Sequence, residues 1–270
     1  MSPSLSVSAP ETVVCCPIAA SAVLRAEADT IAQWRRQAVV VGGNSFPASL
    51  LKHTDDQTVI ALRAVLAAVE QYGWQQRSFT EWGVIAAPNF FGRVSIAQAI
   101  HRIRNEGAWG VSPHLIPQQS LHAISGTISQ ALKIHGPNFG VSCAPNATPD
   151  ALLIAAAMMA DGLLPGLWVV LTGYEAEWIP CAEGRAVPAP ACLAIALALT
   201  PSASGDTGLH LSIGQARHES ELSQAHLPLL ELGSLAESLV DPHSTSSPGL
   251  TRKWRLSESH WIELEAEERP

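Results

Sequence analysis

Apolar residues recur along this chain at two spacings, which predict alternating helices and strands. Behind Asp55 and Asp56, two residues suited to cap a helix, apolar side chains repeat every three or four residues until Gly73. The same helical spacing is found over residues 94–104 and 117–134. Runs typical of strands cover residues 82–87, 139–144, 167–173, 191–200 and 209–215. Elements that alternate in this way predict the α/β class.

Both ends of the chain give weaker patterns. Residues 12–16 predict a short strand and residues 30–36 a short helix. Near the other end, residues 227–240 predict a helix and residues 254–265 a surface strand or tail. The body of the fold is therefore expected between these ends.

The most informative segment covers residues 136–173. An apolar strand enters a sharp turn, and the helix predicted over 150–163 leaves that turn. The helix is apolar almost all round, as is typical of a helix buried between two layers. The next buried strand follows it directly, so the order predicts a βαβ unit. Residues 142–146 are called the strand–helix turn below.

Composition narrows the possible functions. Only 15% of the 270 residues are charged, which suggests that part of the surface is covered by another chain. The net charge of −8 argues against a nucleic-acid-binding protein. The longest apolar stretch, residues 151–168, is interrupted by polar and turn-forming residues and is too short for a membrane span. The five cysteines form no disulfide or zinc framework. We therefore expect a cytoplasmic protein without a metal or cofactor.

The strand–helix turn is a place where enzymes position nucleophiles. A helix N-terminus lowers the pKa of a thiol, and its backbone N–H groups can stabilise an oxyanion. Cys143 is the candidate nucleophile in this turn, although a free cysteine is more commonly a small buried apolar residue. Pro145 offers neither a nucleophilic side chain nor a backbone N–H.

Residues 136–147 resemble the nucleophile turn of the β-ketoacyl synthases, which are condensing enzymes of the thiolase-like fold. Gly136 and Pro137 precede the strand, Val141 and Ala144 fall on the family's pattern, and an alanine-rich buried helix follows. The resemblance extends over residues 38–215. It implies a thiolase-like αβαβα fold with a reduced second half. The implied organisation is an N-terminal extension over 1–37, a ketosynthase-like core over 38–221 and a divergent tail over 222–270.

The chain departs from that family at the residues that carry its chemistry. Pro145 occupies the position of the catalytic cysteine, and the two histidine motifs of the family's second half are absent. A subunit without these groups cannot condense acyl chains by the usual covalent route. The family contains such silent subunits, the chain-length factors, including those of aryl-polyene-type pathways. The resemblance implies a subunit of this kind, without independent activity, in fatty-acid or polyketide-like biosynthesis.

The resemblance also implies partners and site residues. The partners are a full-length β-ketoacyl synthase, in a heterodimer, or a second copy of the chain, together with an acyl carrier protein. A dimer strand is implied at Phe139, Gly140 and Val141. The turn and acyl-cavity residues are Ser142, Cys143, Ala144, Pro145, Asn146, Phe90, Phe91 and Met158. His101, Arg102 and Arg104 form either a basic patch for the carrier protein or an ordinary solvated helix face.

Two alternatives stay open at the level of sequence. The chain could be an acyl-transfer or hydrolytic enzyme that uses Cys143 with an unidentified histidine. It could also be a homodimeric protein that binds an acyl chain or an acyl carrier protein without chemistry.

Overall fold

The computed structural model describes residues 13–113, 115–141, 147–175, 177, 191–201, 208–216, 226–240 and 251–266. The strands are β1 Val13–Ala26, β2 Val39–Val41, β3 Asn44–Phe46, β4 Gly83–Pro88, β5 Asn138–Gly140, β6 Leu167–Tyr174, β7 Cys192–Leu199, β8 Leu209–Gln215, β9 Thr251–Arg255 and β10 His260–Ala266. The helices are α1 Ala28–Arg35, α2 Asp56–Gln71, α3 Arg93–Glu106, α4 Leu115–Gln118, α5 His122–Leu132, α6 Ala147–Met159 and α7 Leu232–Val240.

Eight of the strands form one mixed sheet in the order β5–β4–β6–β7–β1–β8–β10–β9. β4 is parallel to both β5 and β6, whereas the other pairs are antiparallel. β1 serves two neighbours, because residues 18–26 pair with β7 and residues 13–18 pair with β8. β2 and β3 form a separate hairpin. The long first strand therefore joins the two halves of the sheet.

Helices cover both faces of this sheet. One face carries α2 and α5, packed on side chains such as Trp168 and Val170 of β6. The other carries α6 and α7, packed on the alternate side chains of the same strand, such as Val169 and Leu171. The alternation arises because successive side chains of a strand point to opposite faces. The predicted α/β class is confirmed, and the helix after the turn is buried along the face that packs on the sheet.

The helix predicted over residues 117–134 is divided into α4 and α5. The Ser120 hydroxyl donates a 2.9 Å hydrogen bond to the Pro117 carbonyl, and the Ala123 N–H donates to the Ser120 carbonyl over 2.9 Å. These bonds close a turn between the two helices, since a serine side chain competes with the helical backbone pattern. The prediction of one continuous helix was wrong at this point.

Residues 251–266 are an integral part of the sheet. The sequence predicted a surface strand or tail over 254–265, but two strands, β9 and β10, form a hairpin whose β10 pairs with β8. Trp254 is only 5% exposed and Ile262 is fully buried. The strand prediction is confirmed, and its assignment to the surface is corrected, because these apolar side chains complete the core beside α7.

Candidate functional site

The carboxyl ends of three parallel strands meet at one edge of the sheet, and this edge forms the candidate site. The segments that follow β4, β5 and β6 come together there. Directly after β4, the Asn89 N–H donates a 2.7 Å hydrogen bond to the Thr172 carbonyl of β6. Directly after β5, the Val141 N–H donates a 2.8 Å bond to the Ala86 carbonyl of β4. We call this edge the carboxyl edge.

The strand–helix turn lies outside the described residues, so the roles expected for its members stay predictions: Ser142, Cys143, Ala144, Pro145 and Asn146. The chain on either side of the turn is buried. Val141 packs against the α6 cluster, and Ala147 and Pro149 are buried at the start of α6. α6 begins at Ala147, three residues earlier than predicted. Pro149 is tolerated in the first turn because the N–H groups there have no acceptor within the helix, so the N–H that proline lacks is not missed.

β5 is the edge strand at one end of the main sheet. It contains Phe139 and Gly140, two of the three residues expected in a dimer strand. Within the described part of the chain it pairs only with β4. Phe139 is half-buried against the α6 cluster. A Cβ added to Gly140 would lie 2.1 Å from the Leu121 carbonyl oxygen, so glycine lets β5 pack against the start of α5. Among the residues that the structure describes, no strand pairs with the other side of β5.

The bulky side chains expected to limit an acyl cavity are not gathered in one wall. Phe90 and Phe91 directly follow Asn89 at the carboxyl edge, and Phe91 is buried with α2 and α5. Met158 packs on the opposite face of the sheet, against the α6–α7 cluster. At 1.5 Å per residue, Met158 lies about 16 Å along α6 from the helix start. The structure therefore brings Phe90 and Phe91 to the carboxyl edge and leaves Met158 away from it.

A buried glutamine joins α2 to this edge. The Gln57 Nε2 donates a 3.0 Å hydrogen bond to the Asn89 carbonyl, and the Thr172 hydroxyl donates a 2.7 Å bond to the Gln57 Oε1. Sequence reasoning missed Gln57 and Thr172 as a pair. The sequence signal for Gln57 was its place in the first turn of an otherwise apolar helix. A polar side chain that is buried there must form hydrogen bonds with other segments.

Two aspartates at the start of α2 have different environments. Asp55 caps the helix, as predicted, by accepting a 2.9 Å bond from the Gln57 N–H, and it lies 3.5 Å from the Ser95 hydroxyl. Burial raises the pKa of Asp55 to about 6, against the lowering effect of these donors and of Arg35. Asp56 forms an ion pair with Arg35 of α1. The N-terminus of α2 therefore holds one paired carboxylate and one that burial makes more basic.

Two buried cysteines of the described chain are poor nucleophiles. Burial raises the pKa of Cys16 to about 11, and burial with the charge of Asp55 raises that of Cys192 well above its ordinary value. Burial likewise raises the pKa of Tyr174. Because the thiolate is the reactive form, neither of these two thiols is primed for attack. Cys143 is outside the described residues.

The polar residues singled out on α3 lie towards solvent. Arg102 and Arg104 are exposed, and the His101 Nε2 and Asn105 Nδ2 atoms are 2.8 Å apart. This arrangement fits a solvated helix face, and a carrier-protein contact there stays a prediction. In the described ranges, no group of three histidine, cysteine, aspartate or glutamate side chains is placed to hold a metal ion. No helix in those ranges is long and apolar enough to cross a bilayer.

Comparison with known proteins agrees with this geometry. Residues 42–160, a span that ends directly after α6, match the family model of the β-ketoacyl synthase N-terminal domain. Over these residues the chain is similar to the β-ketoacyl synthases. The matched span includes β4, β5, the strand–helix turn and α6, so the ketosynthase-like region contains the whole carboxyl edge except the part from β6. None of the curated proteins has a sequence that matches the chain.

Solved structures share the ketosynthase-like fold. A chain in the complex AntDE:AntF, a type II polyketide synthase acyl-carrier protein with its ketosynthase bound to the hexaketide, superposes with a TM-score of 0.60 at 12% identity. That match covers 95% of this chain and 99% of the other. At this identity it establishes the thiolase-like fold alone.

Two further structures are more distantly similar. The ketosynthase ApeO in complex with its chain length factor ApeC from Xenorhabdus doucetiae matches with a TM-score of 0.48 at 11% identity, over 96% of this chain and 100% of the other. The ishigamide ketosynthase/chain length factor gives 0.48 at 15% identity, over 72% of this chain and 63% of the other.

Proposed function

We propose that this ketosynthase-like chain is a non-catalytic subunit of the chain-length-factor type. It pairs with an active β-ketoacyl synthase in fatty-acid or polyketide-like biosynthesis and helps to set the length of the acyl product. The proposal rests on Pro145, which the resemblance to the family aligns with the position of the catalytic cysteine. Proline has no nucleophilic atom and no N–H for an oxyanion, so a covalent acyl-enzyme cannot form at this residue.

The environment of β5 supports the pairing part of the proposal. β5 is at the end of the sheet and has one free hydrogen-bonding side among the described residues. Soluble proteins cover or pair such strands, because unpaired edges promote aggregation. The main partner we propose is a full-length β-ketoacyl synthase, and an acyl carrier protein would deliver the growing chain to the pair.

The position of Phe90 supports the length-setting part. Phe90 directly follows Asn89 at the carboxyl edge, where the segments after β4 and β5 come together. An aromatic ring there occupies volume that an acyl chain would otherwise fill. Phe90→Ala in the reconstituted pair is expected to lengthen the product, whereas Met158→Ala, at the far end of α6, is expected to leave its length unchanged.

The first experiment is an affinity purification of the tagged chain from its own host, with the bound chains identified by mass. Recovery of a full-length ketosynthase near one-to-one supports the proposal. Recovery of the chain alone contradicts the heterodimer and leaves the homodimeric binding protein. The same purification is repeated with Gly140→Ala. The added methyl group would displace β5, so less of the partner should be recovered than with the unmodified chain.

Cys143 provides the test of the enzymatic alternative. It lies in the turn that precedes the buried N-terminus of α6, where a thiol could be activated. An acyl-thioester probe should leave the chain unlabelled if the subunit is silent. Labelling that disappears in Cys143→Ala would instead identify an acyl-transfer or hydrolytic enzyme.

A further inference from the structure

The geometry points to Arg93 as a positioning residue that fixes the ring of Phe90 in place. This inference rests on the proposed function, because it explains how Phe90 could act as a rigid stop for an acyl chain. The guanidinium carbon of Arg93 lies 3.6 Å from the centre of the Phe90 ring. We call the contact of these two residues the Arg93–Phe90 latch.

The backbone at Phe90 has a conformation that only a fixed surrounding can maintain. Its φ of 49° is in the left-handed region, which non-glycine residues rarely adopt. Such outliers concentrate at functional sites and persist when neighbouring contacts hold them. On the N-terminal side, both backbone groups of Asn89 are bonded, the N–H to Thr172 and the carbonyl to Gln57. The strained residue therefore follows a firmly anchored one.

Arginine is not among the residue types usually preferred at the start of a helix, where Arg93 lies. It is the first residue of α3, where the helix dipole disfavours a positive charge. The first turn has no acidic residue, and Gly92 before it supplies no side-chain cap. A helix start that lacks each ordinary stabilising feature indicates that another contact determines the residue. The face of the Phe90 ring, which attracts a cation, is that contact.

A carboxylate on the opposite segment of the edge completes the arrangement. Burial raises the pKa of the Glu177 carboxyl, and the charge of Arg93 opposes this rise. A backbone hydrogen bond at Tyr174, the last residue of β6, holds Glu177. Arg93 therefore acts on two segments of the edge. It covers the Phe90 ring after β4, and its charge acts on a carboxyl group after β6.

A fixed Phe90 ring and a mobile one would give different distributions of product length. A ring that cannot rotate away gives a sharp limit to chain length, whereas a mobile ring lets longer chains pass. We therefore expect Arg93→Gln to broaden the product distribution of the reconstituted pair towards longer chains. Arg93→Lys keeps a cation over the ring and should restore a narrow distribution. Arg36→Gln removes an exposed arginine at the end of α1, outside the candidate site, and serves as the matched control.

The contact itself is tested on the isolated chain, independently of any partner. Phe90 is replaced by phenylalanines with one, two or three ring fluorines, which weaken cation–π attraction stepwise. We expect the folding equilibrium constant to fall progressively, by about two- to fivefold in total, and to be insensitive to fluorination in Arg93→Gln. An equal response in both backgrounds overturns the Arg93–Phe90 latch.

The two measurements separate failure of the inference from failure of the proposed function. If no ketosynthase pairs with the chain, the proposed function fails, while the fluorine series still decides whether the latch exists. If the pair forms and Arg93→Gln gives the same product lengths as Arg36→Gln, the positioning role is refuted. A broadened distribution that Arg93→Lys narrows again supports it.

Discussion

The Thr172 hydroxyl donates a 2.7 Å hydrogen bond to the side-chain oxygen of Gln57, a residue 115 positions earlier in the chain. The same glutamine donates to the backbone of Asn89. One buried side chain thus connects α2, β6 and the segment after β4. These hydrogen bonds anchor the backbone at Asn89, which directly precedes Phe90.

Gln57→Leu should destabilise the chain by about 1–3 kcal/mol, because it leaves the Thr172 hydroxyl and the Asn89 carbonyl buried without this partner. Chemical denaturation measures the loss. Gln130→Leu, at an exposed position of α5, is the control and should change little. Adding Thr172→Val to Gln57→Leu should cost less than the two single changes summed. A near-zero effect of Gln57→Leu would show that the buried bond contributes no stability.

Asp55 should make stability depend on pH between about 4 and 6. Its carboxyl has a pKa of about 6 when folded, against about 3.9 in an unfolded chain. The folded state therefore binds the proton more tightly in this interval, and the contribution of Asp55 to stability falls as pH rises through it. Asp55→Asn keeps the oxygen that accepts from the Gln57 N–H but cannot ionise.

The expected result is that the free energy of unfolding of Asp55→Asn, relative to the unmodified chain, increases from pH 4 to pH 6 and is constant above. Denaturation at several pH values measures it. Asp161→Asn, which changes an exposed carboxylate outside the helices, should give no such trend. Parallel curves for Asp55→Asn and the unmodified chain would refute the assignment.

Gly140→Ala should destabilise the chain by about 1–3 kcal/mol, because the new methyl group would meet the Leu121 backbone. Gly233→Ala in α7 is a matched control, since a Cβ there has nothing within 4 Å. In a helix, alanine is favoured over glycine by up to about 1 kcal/mol, so the control should be neutral or stabilising. Equal effects of both changes on thermal unfolding would contradict the close approach of β5 to α5.

Pro145→Cys should not create a condensing enzyme. If the resemblance aligns residue 145 correctly, the variant regains the family's thiol, but its sequence still has neither histidine motif of the second half. We expect no product above background when the purified variant is supplied with acyl and malonyl carrier proteins. In the same assay with the partner present, Cys143→Ala should leave output nearly intact. Condensation by Pro145→Cys alone would overturn our interpretation of residues 222–270.

Several elements could be predicted well because their signals are local. The cap and spacing of α2, and the uninterrupted apolar runs of β6 and β7, depend on side chains within one element. α4 and α5 were merged because apolar spacing continues across a break made by one serine hydroxyl. For the candidate site, sequence reasoning reached Phe90 and Phe91 but missed Gln57 and Arg93, whose partners lie on other segments.

The tryptophans show the same division between local and tertiary information. Along the chain Trp168 is far from Trp74 and Trp82, and the sequence indicates only separate anchors of the core. In the fold their rings lie 6.0–6.3 Å from one another, with Arg77 over two of them. Their grouping follows from the pairing of β4 with β6, which no spacing within either strand specifies.

The sequence by itself determined the order of strands and helices and the apolar character of the helix after the turn, and its resemblance to the β-ketoacyl synthases implies that Pro145 replaces the family's nucleophile. These properties depend on residue identity and on spacing within one element. Only the tertiary structure decided that β9 and β10 extend the main sheet, that Met158 is remote from Phe90, and that Arg93 covers the Phe90 ring. These arrangements depend on which faces and strand edges meet, and that is fixed by packing between segments far apart in the chain.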